Sequence, residues 1–314
     1  MKRPGFTEKD LYEEQADPIK EIKRESEMPI GYCFSFPAES LPNGDAKLLR
    51  WTKGVDIKEM VGKPVGKSLV DYLNTHTTPP FSGIKVINDT VASLFAGLTE
   101  KDFDAYIGLI VGTGTNMAAF FHPDKIKKLE GKYNDHPWIP VNLESGNFHP
   151  PHLTRLDDTL DSCSTTTGAQ RFEKAVSGMY LGNILKGGVF PFDEFEETFD
   201  ARKLTTIISY PDIHKEKYVR VARWIYRRSA YLVAASLVGL ILVLVSHDPG
   251  IKRIRLVAEG SLFWSENRKG KNYKELVMEE LHKLLASFGR IDIQVHIHYM
   301  EDANLIGTAI AALS

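Results

Sequence analysis

Ile84-Lys85-Val86-Ile87-Asn88-Asp89-Thr90-Val91-Ala92-Ser93-Leu94 is the stretch from which the rest of the chain is best read. A short run rich in β-branched residues meets Asn-Asp-Thr, and a second apolar run with helical spacing follows. The pattern predicts a strand that passes at its end into a helix and delivers the carboxylate of Asp89 to the mouth of a cleft. Two readings of Asp89 are open. A carboxylate on a rigid strand end suits a general base, for which reach and orientation come before pKa. It suits also, and on this stretch alone better, a helix N-cap that accepts the backbone N–H groups of Val91 or Ala92.

Upstream, Ile30 to Phe36 reads as a strand that Pro37 must end. A loop with Asn43-Gly44-Asp45 leads to a second strand candidate, Leu48 to Trp51, and then to Thr52-Lys53-Gly54. Ser68 to Leu73 is helical in pattern. Residues 1–28 are dense in Glu, Lys and Asp. There Thr7 and Asp10 form a capping pair, and Pro18 is expected to break the helix they start.

Downstream, Ala105 to Val111 is a strong strand, Gly112-Thr113-Gly114-Thr115 a turn, and Asn116 to Phe121 the returning strand. Successive N–H groups of such a turn can cup a phosphate, although many hairpins carry Gly-x-Gly without doing so. Val141-Asn142-Leu143-Glu144 ends a further strand on a carboxylate. Ser164 to Lys174 opens an amphipathic helix expected to run to about Leu185, with Gln170 and Glu173 one turn apart on a shared face. Tyr218 to Val245 is a long helix, Ile254 to Ser261 a strand and turn, Lys274 to Ser287 a helix, Ile291 to His298 a strand and Asn304 to Leu313 a closing helix. Strands and helices alternate throughout, so the fold class is α/β.

Composition narrows the functions. The 314 residues carry 43% hydrophobic and 25% charged side chains with a net charge of −2, which gives no general attraction to nucleic acid or to an anionic membrane. Basic runs such as Lys125 to Lys128 and Arg268 to Lys271 read as solvated loops. Cys33 and Cys163 match no disulfide framework and no zinc spacing, and His149 and His152 lack further spaced ligands, so no metal site is expected. The longest apolar run, Ala230 to Val245, is shorter than the roughly 20 residues that span a bilayer and reads as a buried helix. With no apolar core behind Met1 to Gly5, the expected location is the cytoplasm.

Taken together, several ordered pieces resemble the hexokinase family, the sugar kinases of the actin-like ATPase fold, over about residues 28–313. These are Phe34-Ser35-Phe36-Pro37, Trp51-Thr52-Lys53-Gly54, Asn88-Asp89-Thr90, Gly112-Thr113-Gly114-Thr115-Asn116, Asn142-Leu143-Glu144, Gln170-Arg171-Phe172-Glu173-Lys174, Ser177-Gly178-Met179-Tyr180-Leu181-Gly182 and Glu259-Gly260-Ser261. The resemblance implies a two-domain, ribonuclease H-like fold, with residues 1–87 in a small domain, 88–303 in a large one and 304–314 a helix returning toward the small one. It implies a hexose, with glucose expected, held by Ser35, Thr52, Lys53, Asn88, Asp89, Asn116, Glu144 and Glu173. Asp89 would be the base for the 6-hydroxyl and Lys53 would stabilise charge beside it. Gly112, Thr113, Gly114, Gly260 and Ser261 would hold ATP, which carries Mg2+.

The chain also departs from that pattern. Family members carry an Asp-Leu-Gly-Gly-Thr-Asn-x-Arg strand–turn–strand upstream, and none stands between Met1 and Ile30. The small domain is therefore expected to be incomplete at its N-terminal side, with an apolar edge near residues 30–36. Ser145-Gly146 replaces Trp-Gly, Thr115 replaces a common Cys, and the last phosphate-facing turn is reduced to Asp302 to Ala309. These departures keep two alternatives open: a non-catalytic hexose-binding relative, and a shortened product of a hexokinase gene with little activity.

Overall fold

A computed structural model describes residues 5–51, 55–129, 137–189 and 200–314. In chain order the elements begin with α1 (Glu8–Lys20), β1 (Met28–Cys33), β2 (Ala38–Ser40), β3 (Ala46–Leu48), α2 (Val65–Asn74), β4 (Phe81–Ile87), α3 (Asp89–Ala96), β5 (Ala105–Val111), β6 (Thr115–Phe121) and β7 (Ile139–Asn142). They continue with α4 (Arg155–Ser162), α5 (Arg171–Val176), α6 (Gly178–Val189), α7 (Ala201–Ser209), α8 (Glu216–His247), β8 (Arg253–Glu259), α9 (Tyr273–Ser287), β9 (Gln294–His298) and α10 (Ala303–Ala312). They fall into two units, Met1–Thr99 with Glu301–Ser314, and Glu100–Met300. The division comes after Thr99 rather than at residue 88, because α3 packs on α10. At Gly307 a Cβ would meet the Ala92 carbonyl oxygen at 1.8 Å, so only glycine lets the two backbones come this close.

In the first unit β1 and β4 pair in parallel, Ile30 opposite Ile84 and Cys33 opposite Ile87. Among the described residues no strand lies on the other side of β1. α10 packs on one face of the β1–β4 pair, where a Cβ on Gly31 would meet the Thr308 carbonyl oxygen at 2.2 Å. β2 and β3 form a hairpin with Ala38 opposite Leu48. The second strand thus starts two residues before the predicted Leu48 to Trp51, and beyond it the Trp51 indole N–H donates to Ile57 O at 2.7 Å and fixes a loop instead. Pro18 lies inside α1 rather than breaking it, two residues before its last residue, Lys20. The Thr7–Asp10 capping box is present. Leu11, Leu48, Ile57, Met60, Leu69 and Leu73 fill the core. Buried Asp45 accepts from the N–H groups of Ala46, Gly66 and Lys67 at 2.6 to 2.8 Å, tying the hairpin to the first turn of α2.

The second unit holds a five-stranded sheet in the order β7-β6-β5-β8-β9. β6 is antiparallel to both β5 and β7, while β8 and β9 run parallel to β5. Counted from its own first strand the order is 3-2-1-4-5, the ribonuclease H-like arrangement. β5 buries Ile107, Leu109 and Val111 on one face and carries Tyr106, Gly108 and Ile110 on the other, an apolar pattern suited to a central strand. α8 packs against α5, α6, α7 and α9. It is long and apolar enough to cross a membrane, yet 56% of its most apolar window is buried within the fold. Leu237 and Ile241 are fully buried there, each worth about 1.5–3 kcal/mol of removed apolar surface. The helix predicted through Leu185 is two helices. Ser177, with φ −86° and ψ 156°, separates α5 from α6, because the Gly178 N–H donates outward to Gly112 O at 2.7 Å.

Candidate functional site

On the second unit, the sheet edge at the start of β6 organises a chain of amides and a carboxylate. Asn116 Oδ1 accepts from the N–H groups of Met117 at 2.8 Å and Ser145 at 3.0 Å. Its NH2 is therefore turned outward and donates to Asn142 Oδ1 at 2.7 Å. That orients Asn142 in turn, whose NH2 donates to Glu144 Oε1 at 2.8 Å. Glu144 is exposed and sits in the left-handed region at φ 49°, ψ 43°, a conformation that a non-glycine residue adopts at a cost of about 1–3 kcal/mol and that clusters at functional sites. Among the described residues its second oxygen has no partner.

Glu173, half-buried in α5, reaches the same edge, where its Oε2 accepts from the Thr115 N–H at 3.1 Å. Two glycines make room for it. A Cβ at Gly114 would lie 2.6 Å from Glu173 Oε2, and one at Gly146 would lie 3.2 Å from Glu173 Cβ. Burial and then the nearby Glu173 charge raise the pKa of the Tyr180 phenol. Gln170 does not share a helical turn with Glu173. It stands at φ 53°, ψ 39° as the residue before α5.

The two Gly-containing turns meet without side chains. Gly260, at φ +106°, follows β8, and a Cβ on it would strike Val111 O at 2.3 Å and Gly112 N at 2.7 Å. Gly178 opens α6 against Gly112 O. In the turn after β5, the Gly112 N–H closes on Gly114 O at 2.9 Å and that of Thr115 goes to Glu173. Of the four successive N–H groups proposed as a phosphate cup, those of Thr113 and Gly114 remain unengaged among the described residues. Ser261 is exposed beside Gly260.

On the first unit, the helix cap is Asn88, not Asp89. Asn88 Oδ1 accepts from the Thr90 N–H at 2.9 Å, and Asp89 is the first residue of α3. Its Oδ1 accepts from the Thr90 N–H at 2.8 Å and the Thr90 hydroxyl at 3.3 Å. Oδ2 has no partner among the described residues, so the neighbouring cap leaves a carboxylate oxygen in hand. Ser35 is half-buried just past β1, where the Phe34 N–H donates to Ile87 O at 2.9 Å and continues the pairing toward Asn88. Thr52 and Lys53 lie outside the described residues.

The structure thus gathers Asn116, Glu144 and Glu173 on one edge of the second unit, and sets Ser35, Asn88 and Asp89 at the ends of paired strands in the first. Asn142, Gly146 and Gly178 were missed as site residues. The period of two in Asn142-Leu143-Glu144, which puts both polar side chains on one face, was the available signal for the first. The glycines gave none, since their work is to admit atoms distant in sequence.

Known proteins bear on this geometry. A family model described as hexokinase matches residues 106–192 and 192–314, and a second hexokinase model matches residues 6–98. Hexokinase-7 of Oryza sativa subsp. japonica is 31% identical over 299 residues, 82% of this chain and 64% of that protein. Hexokinase-2 of Schizosaccharomyces pombe is 38% identical over 168 residues, 53% of this chain and 37% of that protein. The chain therefore spans less than two thirds of the length of either relative. The solved hexokinase from Schistosoma mansoni complexed with glucose superposes with a TM-score of 0.74 at 24% identity, covering 97% of this chain and 75% of that one. This likeness makes the fold that of the actin-like sugar kinases. With both parts of the chain matched by its models, the protein belongs to the hexokinase family.

Proposed function

We propose that this protein phosphorylates a hexose, glucose in the first place, at its 6-hydroxyl, using MgATP. The observation that carries the reading is the oriented set Asn116–Asn142–Glu144 beside Glu173. A sugar offers donors and acceptors on every hydroxyl, so its site needs carboxylates and amides whose own bonds fix which atom faces outward. A site built in this way penalises a sugar that leaves one of its buried groups unpaired. Ser35, Thr52, Lys53 and Asn88 complete the set of hexose contacts.

The chemistry assigned to Asp89 follows from its free oxygen. Oδ2 accepts the proton of the 6-hydroxyl as that oxygen forms its bond to the γ-phosphorus, and the bond to the β,γ-bridging oxygen breaks with its electrons leaving on ADP. Lys53 stabilises charge near the attacking oxygen. MgATP enters as substrate. The free N–H groups of Thr113 and Gly114, with Gly112 making the turn, face its phosphates, and Gly260 and Ser261 lie toward the nucleoside.

A coupled assay of ADP release with glucose and MgATP tests the reading. Wild type should turn over, and Asp89→Ala should lose at least about 100-fold in kcat. Equal turnover by the two proteins refutes the assignment of the base. Calorimetry in which glucose binds and no nucleotide does refutes the kinase reading in favour of a hexose-binding relative.

A further inference from the structure

Glu173 belongs to a helix of six residues, too short to hold its own shape. What fixes it lies on either side. Arg171 and Lys174, 8% and 1% exposed, are buried cations that bracket Glu173 in the sequence, and both turn away from the sheet edge toward α4. They converge on Asp161, itself 5% exposed. Lys174 Nζ donates to Asp161 Oδ1 at 2.6 Å and to Thr166 O at 2.6 Å. Arg171 Nη1 lies 2.8 Å from Asp161 Oδ2, and its Nη2 pairs with Asp158.

Asp161 also holds the intervening loop. The Gly168 N–H donates to its Oδ2 at 2.9 Å, and its backbone carbonyl accepts from the hydroxyls of Ser164 at 2.7 Å and Thr167 at 3.2 Å. α4 is anchored in turn. Its capping residue Asp157 is bonded by Thr154 at 2.7 Å and by Arg228 of α8 at 2.6 Å. A rigid path therefore runs from α8 through α4 and Asp161 to both neighbours of Glu173.

We infer that Asp161 is a positioning residue for the hexose site: it clamps α5 through Arg171 and Lys174 so that the Glu173 carboxylate stays on the Thr115 N–H and faces the sugar. The inference rests on the reading of Glu173 as a hexose ligand. Burial raises the cost of the Asp161 charge, but the two cations and the Gly168 N–H outweigh it and hold its pKa at about 2, so the clamp is ionised throughout the neutral range. Among the described residues the bonds of Asp161 go to Arg171, Lys174 and the loop before α5 and to none of Asn116, Glu144, Gly112 or Gly260, so its loss is felt first at Glu173.

Two variants test this. Asp161→Asn keeps the side-chain shape and removes the charge. The double variant Asp161→Asn with Lys174→Met removes the partner cation as well, so that no uncompensated ammonium stays buried and the fold is kept. Glucose affinity by calorimetry without nucleotide, KM for glucose and for MgATP, and amide hydrogen exchange over residues 164–176 are measured on the full chain. The expected result is a loss in glucose affinity of tenfold or more in both variants, faster exchange over 164–176, and a KM for MgATP within threefold of wild type. A double variant that melts as wild type does and binds glucose as wild type does overturns the inference. So does an equal rise in both KM values, which marks a merely structural role. A wild type that binds no hexose overturns the parent reading, and this inference with it. A wild type that binds while the variants are unchanged overturns only the clamp.

Discussion

Adding one methyl group at Gly114 should separate sugar binding from stability. Gly114 has no left-handed backbone angle, so alanine meets no conformational barrier and reduces the entropy of the unfolded chain, which is worth about 0.4–1 kcal/mol in favour of the fold. The new Cβ would stand 2.6 Å from Glu173 Oε2, nearly an ångström inside contact distance. Backbone on both sides of the turn is fixed by the Gly112 N–H to Gly114 O bond, so the group that yields is the carboxylate at the far end of the Glu173 side chain. Gly146 limits its retreat, with Thr115 O and Glu173 Cβ both close to that glycine. The carboxylate then leaves the Thr115 N–H and the position proposed for the sugar. A hydrogen bond to a charged group contributes about 1.5–3 kcal/mol. With about 1.4 kcal/mol for each factor of ten, glucose affinity should fall by about 10- to 150-fold. Calorimetry with glucose and a thermal melt on the same preparation read both quantities. Glucose binding within threefold of wild type, in a protein that melts normally, would refute the placing of Glu173 on the sugar.

Four further outcomes follow from other parts of the molecule. Asn88→Ala should lower stability by about 1 kcal/mol through loss of the cap, seen as a lower denaturant midpoint. Asp89→Ala should lower kcat and leave that midpoint nearly unchanged, and a reversed pattern would return Asp89 to a capping role. Gly260→Ala, at φ +106° and 2.3 Å from Val111 O, should destabilise by more than about 2 kcal/mol and raise KM for MgATP before KM for glucose; a neutral melt contradicts the close approach of the two turns. Because the Asp161 carboxyl titrates at about 2 in the folded protein, below its ordinary value near 4, its contribution is complete above about pH 4 and is lost as pH falls toward 2. Acid unfolding followed by circular dichroism should therefore be shallower between those values in Asp161→Asn than in wild type.

Where local pattern decided structure, the sequence was legible. β5 emerged at its full extent, Ala105 to Val111, because a central strand is apolar on both faces, and β4 passing into α3 was readable from the change of period at Asn88. The Thr7–Asp10 box was readable because both partners lie within one turn. Failures came where distant backbone intervened. Ser177-Gly178 is only a weak local break signal; the break is made by the Gly178 N–H, which leaves the helix for Gly112 O, 66 residues earlier in the chain. A cap was one of the two readings of Asp89 because either side chain can cap, and in the fold that part falls to Asn88. In the site, Glu144 and Glu173 were named through the resemblance of Asn142-Leu143-Glu144 and Gln170-Arg171-Phe172-Glu173-Lys174 to hexokinase motifs. Asn142, which bonds Asn116 and Glu144, was passed over although its spacing from Glu144 was visible, because its bond to Asn116 spans 26 residues. Asp161 was invisible for another reason: its partners lie 10 and 13 residues away across a loop with no periodicity.

The contact of Gly307 with Ala92 also bears on how the protein is made. Domains commonly fold in the order in which they leave the ribosome, the N-terminal one first. Here that order is inverted. The unit that carries Asp89 begins the chain, but the helix that seals it, α10, is synthesised after every residue of Glu100–Met300. The later unit, continuous in sequence, has its full sheet available while the earlier one still waits with α3 and β1 uncovered. The segment carrying the proposed base is thus the last to be enclosed, and during synthesis its apolar face is the one a chaperone would meet.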